Sequence, residues 1–305
     1  MKQTKPAQTA KRKRMTEKSL THFFFTAPAV LLYTLLLVIP VFQGVYYSMT
    51  DWSGLSKNIK FIGLANYAKI FSDKRVLHAF GFTFKYSLLL LVCVLSLATV
   101  LALILHYVLK GRSKTFFRSI FFFPAVLSLI VVGMTWNEIL FRVVPAIGQA
   151  LGIEWLSVNI LGSPATAMYG ILLIHIWQGT AIPFVLILAG LQNIPTDLYE
   201  AAIIDGASPF QTFRKITVPF LLPTFNVAFV MVLKAGLMVF DYIRATTSGG
   251  PARATESVGI LIYDLSYDSL KMSYALAISM VVLLVIIVIT FVQMKASSKV
   301  EVGQL

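Results

Sequence analysis

The sequence predicts an all-α integral membrane protein with six transmembrane helices and a helical loop between the fourth and the fifth. Of its 305 residues, 57% are hydrophobic and only 13% are charged, whereas a soluble chain carries roughly a quarter charged residues. The charges also sit between long apolar runs rather than within them. These runs lack the alternation of barrel strands, and lipid forces their backbone polar groups to bond internally, so we expect helices.

Six apolar runs are long enough to cross a hydrocarbon core about 30 Å thick, which takes about 20 helical residues. The first run exceeds the core of a cleaved signal peptide, roughly 7 to 15 residues, and is expected to remain as a span. The predicted spans are 23–47, 84–108, 117–139, 166–191, 223–243 and 274–294.

Basic residues mark one predicted side of the membrane. The N-terminal tail, 1–22, is rich in Lys and Arg, and the loop after the second span carries four basic residues and no acid: Lys110, Arg112, Lys114 and Arg118. The positive-inside rule makes this side cytoplasmic. We therefore expect a flexible basic cytoplasmic tail over 1–22, a transmembrane domain over 23–294, a cytoplasmic tail over 295–305 and both termini inside. The formal charge of +13 indicates contact with anionic lipid rather than nucleic acid.

The loop over 194–222 lies on the same predicted side and reads as two short helices joined by a turn. Thr196 is expected to cap the first helix, which ends near Asp205, and Gly206 supplies the left-handed residue that follows. Ser208 and Gln211 form a capping box for the second helix.

The second helix of this loop is expected to be limited by Pro219. Ala201 and Ala202 leave little side-chain bulk, so another protein surface could approach closely. The alternative is an amphipathic hairpin that lies on the inner membrane surface without a partner.

Residue patterns for enzyme chemistry are missing from the sequence. No glycine-rich loop with the spacing of a phosphate-binding loop occurs, and the four histidines show no metal-ligand spacing. The single cysteine, Cys93, excludes an intrachain disulfide. We therefore predict no catalytic residues and no metal site, and the chain is expected not to be an enzyme.

The stretch from Glu200 to Pro219 resembles the EAA loop of membrane subunits from binding-protein-dependent ABC importers. Two further stretches, "FIGLANY" at 61–67 and "SGGPARATE" at 248–256, resemble the carbohydrate branch of that family, the maltose-importer-like permeases. The chain departs from the family where "NEILFRVVPAIGQAL" at 137–151 lacks a Gly-x-x-Asn, and where Phe82 replaces a frequent Asn. The loop positions that match the family's pattern are Glu200, Ala201, Ala202, Asp205, Gly206, Ala207, Gln211, Phe213, Ile216 and Pro219.

The resemblance implies a permease subunit in a bacterial-type inner membrane that moves a sugar or oligosaccharide. In that family the loop forms coupling helices that fit a groove on a cytoplasmic ATPase. Glu200 is then a candidate for a hydrogen bond to a basic groove residue. The implied partners are a second permease subunit in a heterodimer, two ATPase subunits, an extracytoplasmic solute-binding protein, the sugar and membrane lipid. The chain itself is expected to need no cofactor, with ATP and Mg²⁺ in the ATPase.

Four residues inside the apolar runs are candidates for the transport pathway. Lys234 lies near mid-membrane, where an ionisable side chain by default faces the bundle or a cavity. Trp177 could stack on a sugar ring, and the amides of Gln178 and Asn226 could bond hydroxyls. Packing and structural hydrogen bonds are the alternative for each.

An ion-coupled secondary transporter of small polar solutes is the competing function. Such a transporter is expected to carry acidic coupling residues or broken helices at matching positions of two internal repeats. The sequence shows neither an obvious repeat nor a carboxylate in the middle of a span.

Overall fold

A computed structural model of the chain describes residues 22 and 24–298, and helices make up most of this part. Within it, the β-structure is an isolated bridge between Thr50 and Phe61, which confirms the all-α fold class. The predicted tails fall outside the described residues except for His22 and residues 295–298. In chain order the helices are α1 (Phe24–Ser48), α2 (Ala65–Ile70), α3 (Lys74–Tyr107), α4 (Gly111–Phe122), α5 (Leu129–Leu151), α6 (Ala167–Gly179), α7 (Ala181–Gln192), α8 (Thr196–Ile204), α9 (Pro209–Leu237), α10 (Asp241–Thr246), α11 (Val258–Tyr263) and α12 (Met272–Ser298).

Among the described residues, five helices are long and apolar enough to cross a membrane: α1, α3, α5, α9 and α12. A sixth crossing arises if α6 and α7 form one span, because they follow each other with a bend of 41°. The predicted number of six spans therefore depends on this bent pair.

The third predicted span, 117–139, was wrong as a continuous helix. A 3₁₀ turn over Phe123–Val126 separates α4 from α5, since the ring of Pro124 cannot donate to a helical hydrogen bond. Helix α5 then runs on to Leu151, beyond the predicted end. Glu138 and Arg142 form an ion pair of 3.0 Å on this helix with both side chains largely exposed, so its second half is poorly suited to lipid.

Two other predicted spans differ from the helices at their ends. Helix α3 begins ten residues before the predicted start at 84, because its first turns carry Lys74 and Arg75 and do not belong to the apolar run. Asp73 caps this helix by accepting a hydrogen bond from the Arg75 N–H. The fifth predicted span, 223–243, corresponds to the end of α9 and a separate short helix, α10.

Helix α3 is the centre of the bundle. It packs against α6, α7 and α9, and its buried face contributes Tyr86, Leu90 and Val94 to the largest hydrophobic cluster. Helices α3 and α9 approach closely at Gly236, where an added Cβ would lie 2.8 Å from the Ser87 Cα. Helix α1 packs on α12, while its apolar surface is otherwise exposed.

Candidate functional site: a helical hairpin and a cavity between the helices

The turn between α8 and α9 has the geometry that the sequence predicts. Gly206 has a φ of +70°, in the left-handed region that disfavours other residues. The Ala207 N–H donates to the Ala202 carbonyl at 2.9 Å and closes the end of α8. Ser208 and Gln211 form the predicted capping box, with the Ser208 N–H donating to the Gln211 Oε1 at 2.8 Å.

Two details of this hairpin were predicted wrongly. Thr196 is the first residue of α8 and makes no capping hydrogen bond, because Pro195 occupies the cap position. Pro219 does not limit the second helix, since α9 continues through Pro219 and Pro223 to Leu237. A π-helical turn over Phe213–Thr217 precedes Pro219. This turn shifts the backbone hydrogen bonds by one residue just before the proline, which has no N–H to donate, and the helix continues.

The exposed surface of the hairpin combines acidic and apolar side chains. Glu200, Ala201, Asp205 and Gln211 are exposed, whereas Ala202 is buried against the bundle. Ala201 and Ala202 therefore do not form one open face. The hairpin also exposes three large apolar side chains that the sequence analysis did not select: Ile203, Ile204 and Phe210. Their position in a short polar loop was the signal that could have identified them.

Three hydroxyl groups connect the hairpin to the bundle. The Tyr199 and Thr217 hydroxyls lie 3.1 Å apart, and the Tyr107 hydroxyl lies 3.3 Å from each. Burial raises the pKa of Tyr199, so its hydroxyl stays protonated and can donate. This cluster joins α8 and the start of α9 to the last residue of α3.

A cavity of about 470 Å³ lies between α3, α6, α7, α9 and α10. Lys234 and Gln178 line it, together with His175, Asp241 and Tyr242. Within the described residues Lys234 makes no ion pair, although Asp241 lines the same cavity.

Trp177 and Asn226 lie outside this cavity. Trp177 is partly exposed on α6 and packs edge to face on Trp136, with ring centroids 5.7 Å apart. Asn226 lies on α9 beside α12, and its backbone carbonyl accepts a hydrogen bond from the Gln293 Nε2 at 3.5 Å. The four pathway candidates are therefore not brought together.

Gln178 bonds to the break between α4 and α5. Its Nε2 donates to the carbonyls of Pro124 at 3.1 Å and Leu127 at 2.8 Å, and its Oε1 accepts from the Tyr242 hydroxyl at 2.9 Å. Carbonyls freed by a helix break need such partners away from water. The side chain of Gln178 thus holds the broken helix that forms one wall of the cavity.

At the opposite end of α3 from the hairpin, Arg75 fixes the Gly-Gly-Pro loop, residues 248–256. Its guanidinium makes hydrogen bonds to both carboxylate oxygens of buried Glu256 and an ion pair with Asp264. Arg75 holds the pKa of Asp264 below its usual range. This charge cluster connects α3, the loop and the segment after α11.

Among residues 22 and 24–298, no three His, Cys, Asp or Glu side chains come together in a way that could hold a metal ion. Two of the described carboxylates, those of Glu256 and Asp264, lie beside the same guanidinium, and both are paired with Arg75.

Comparisons with known proteins identify the family. The family model for the inner membrane component of binding-protein-dependent transport systems matches residues 97–301. The multiple sugar-binding transport system permease protein MsmF of Streptococcus mutans is 42% identical over 263 residues, 86% of this chain and 90% of that protein. The trehalose/maltose transport system permease protein MalF of Thermococcus litoralis is 34% identical over 268 residues, with 86% and 90% covered.

A solved structure shows the same fold. The crystal structure of a bacterial ABC transporter involved in the import of the acidic polysaccharide alginate contains a chain with a TM-score of 0.81 and 21% sequence identity, over 95% of this chain and 99% of that chain. The family match and the two relatives confirm the resemblance of the chain to carbohydrate-type permease subunits of binding-protein-dependent importers. The chain belongs to the family of inner membrane components of binding-protein-dependent transport systems.

Proposed function

We propose that this chain is a permease subunit of an ATP-driven importer for a sugar or oligosaccharide, coupled to a separate ATPase through the hairpin of α8 and α9. The observation that carries the proposal is the exposed face of this hairpin, where Glu200 and Asp205 flank Ile203, Ile204 and Phe210. Large apolar side chains on a charged projection are typical of a protein interface.

The hairpin is suited to transmit motion because it is continuous with the bundle. Helix α9 has 29 residues and is about 43 Å long at 1.5 Å per residue. It begins at Pro209 in the hairpin and reaches the cavity at Met231 and Lys234. When the ATPase subunits close on ATP, a displacement of the hairpin would be carried along α9 and tilt the wall of the cavity.

The hydroxyl cluster of Tyr107, Tyr199 and Thr217 would pass the same displacement to α3. Because Arg75, in the first turn of α3 on the other side, bonds to Glu256, the Gly-Gly-Pro loop would follow. Glu200 would accept a charge-assisted hydrogen bond from a basic residue of the ATPase groove. Gly206 would set the angle between the two helices of the hairpin.

The transport partners follow from the proposal. A second permease subunit, different from this chain, would complete the pathway, and two ATPase subunits would hold ATP and Mg²⁺. A solute-binding protein would deliver the sugar from outside. The names of the relatives support a sugar as substrate, since two of them are permeases for multiple sugars and for trehalose and maltose. Both termini and the hairpin would face the cytoplasm of a bacterial cell.

Within the pathway, Lys234 is the residue of this chain that we assign to substrate contact. It lies in the last turn of α9 and lines the cavity without an ion pair among the described residues, and an ionisable group that faces a cavity between apolar helices is a functional candidate by default. Trp177 could present its ring where the second permease packs against α6. Gln178 holds the cavity wall rather than the sugar, and Asn226 belongs to the contact with α12.

The experiment is purification of the tagged chain from its own cells, followed by uptake assays in proteoliposomes. We expect an ATPase and a second permease to co-purify, and uptake of a saccharide to require ATP. Glu200→Gln, which keeps the shape of the side chain but removes its charge, should lower uptake more than Glu154→Gln, a control outside the hairpin. Uptake driven by an ion gradient in the absence of any ATPase would instead establish a secondary transporter.

A further inference from the structure

A second crevice, of about 320 Å³, opens between the first turns of α3 and the start of α6. His78, Phe82 and Lys85 line it from α3, Tyr169 lines it from α6, and Ala254 of the Gly-Gly-Pro loop closes one side. Two of these side chains are basic, and none of the lining residues carries a carboxylate. The crevice is therefore suited to an anionic group.

Lys85 is the central group of the crevice. It lies 11 residues into α3, about 16 Å along the helix from its first residue. Within residues 22 and 24–298 it forms no ion pair. A charged side chain beside a long apolar run is costly against lipid and normally faces water, a cavity or an opposite charge. The described part of the chain supplies the cavity but not the opposite charge.

The crevice is separated from the central cavity by aromatic side chains. Tyr86 follows Lys85 on α3, and its hydroxyl lies 3.0 Å from the His175 Nδ1. Tyr86 also stacks on Phe82, while His175 packs on Tyr242, with ring centroids 5.8 Å and 4.4 Å apart. Along α3 and α6, the crevice comes before this barrier and the cavity comes after it.

The crevice also offers an aromatic ring to a sugar. Tyr169 lines the crevice and is 52% exposed. The apolar faces of sugars stack on such rings.

We propose that this crevice is an anion-recognising subsite of the transport pathway, in which Lys85 pairs with the carboxylate of an acidic saccharide beside the ring of Tyr169. The subsite rests on the proposed function, because it places the saccharide before the Tyr86–His175 barrier and the central cavity. His78 donates a second hydrogen bond to the same anionic group. The ammonium of Lys85 has no partner among the described residues, and a carboxylate would form the strongest hydrogen bond with it, because both groups are charged.

The test is equilibrium binding to the purified assembly of this chain with its partners, without ATP or binding protein. Cys93→Ser removes the native thiol, and Ala165→Cys places a fluorophore at the exposed rim of the crevice. The probe is trigalacturonate, and its trimethyl ester, in which all three carboxylates are esterified, is the uncharged control with the same sugar rings. We expect trigalacturonate to bind about tenfold more tightly than the ester, as one charge-assisted hydrogen bond allows.

Three variants locate the effect. Lys85→Gln should abolish the preference for the acid, and Lys85→Arg should retain most of it. Lys74→Gln, which removes an exposed lysine from the start of the same helix, should leave the preference unchanged.

Equal binding of acid and ester, or an unchanged preference in Lys85→Gln, would overturn the subsite. Loss of the second permease from the Lys85→Gln assembly would show instead that Lys85 pairs with a carboxylate of that subunit, which also overturns the proposal. Binding is measured without ATP, so its result does not depend on the uptake assay. If the assembly binds the acid but shows no ATP-driven uptake, only the proposed function is refuted.

Discussion

The close contact between α3 and α9 at Gly236 makes a quantitative prediction about the scaffold of the pathway. In Gly236→Ala the new Cβ would lie 2.8 Å from the Ser87 Cα, whereas ordinary contact begins at 3.4 Å. The two helices must therefore separate by about 0.6 Å, the difference between these distances, because the nearest atom belongs to backbone and cannot rotate away.

The magnitude follows from two opposing effects. Overpacking typically costs about 1–3 kcal/mol, and a backbone neighbour that cannot rotate away places Gly236→Ala in the upper part of this range, about 2–3 kcal/mol. Replacing a helical glycine by alanine stabilises the helix by about 1 kcal/mol. The net loss in Gly236→Ala is thus about 1–2 kcal/mol. Gly81 on α3 is the matched control, since an added Cβ there meets nothing within 4 Å, and Gly81→Ala should be neutral or stabilising by up to about 1 kcal/mol.

Thermal unfolding of the purified chain in detergent micelles, followed by tryptophan fluorescence, measures the difference. We expect the midpoint to fall in Gly236→Ala and to stay or rise in Gly81→Ala. If Gly236→Ala unfolds at the same temperature as Gly81→Ala or above it, the reasoning about the helix contact is wrong.

Three further predictions concern the hairpin, the cavity wall and the charge cluster. Gly206→Val should lower ATP-driven uptake while Gly206→Asn retains more of it, because Asn tolerates the left-handed region better; equal loss in both variants would exclude a backbone effect. Gln178→Leu should cost about 2 kcal/mol or more, since the carbonyls of Pro124 and Leu127 lose their donor; an unchanged unfolding midpoint would contradict this. Since the pKa of Asp264 is lowered from 3.8, its stabilising effect should be complete above pH 3.8 and disappear as the pH falls through the lowered pKa. Asp264→Asn should therefore be less stable than the native chain at pH 7 and equally stable in acid, and a difference independent of pH would refute the pairing with Arg75.

The sequence predicted well those features that depend on run length and on local turn chemistry. Apolar runs located the long helices, and Gly206, Ser208 and Gln211 defined the turn of the hairpin from neighbouring residues alone. The resemblance carried by Glu200 to Pro219 identified the family, which the comparisons confirm. As an inner membrane transport component, the chain is not an enzyme, as predicted.

Features that depend on distant residues were not predictable in the same way. The break at Pro124 is stabilised by Gln178, which lies 54 residues later in the chain. Arg75 forms its hydrogen bonds with Glu256, which is 181 residues away in the sequence. The continuation of α9 through Pro219 depends on a π-helical turn over Phe213–Thr217, which no local sequence pattern predicted. Lys85 was overlooked because it stands at the edge of the apolar run, where lysines commonly reach the membrane surface.

The position of the hairpin against an ATPase is the central claim, and cross-linking tests it most directly. Because Cys93 is the single native cysteine, a Cys93→Ser chain can carry one new thiol at Ile204, which is 85% exposed, or at Leu55, which is 76% exposed. In native membranes, a short thiol-to-amine cross-linker should join the chain with Ile204→Cys to an ATPase subunit and should not join the chain with Leu55→Cys to it. Cross-linking to the ATPase from Leu55→Cys but not from Ile204→Cys would contradict the account.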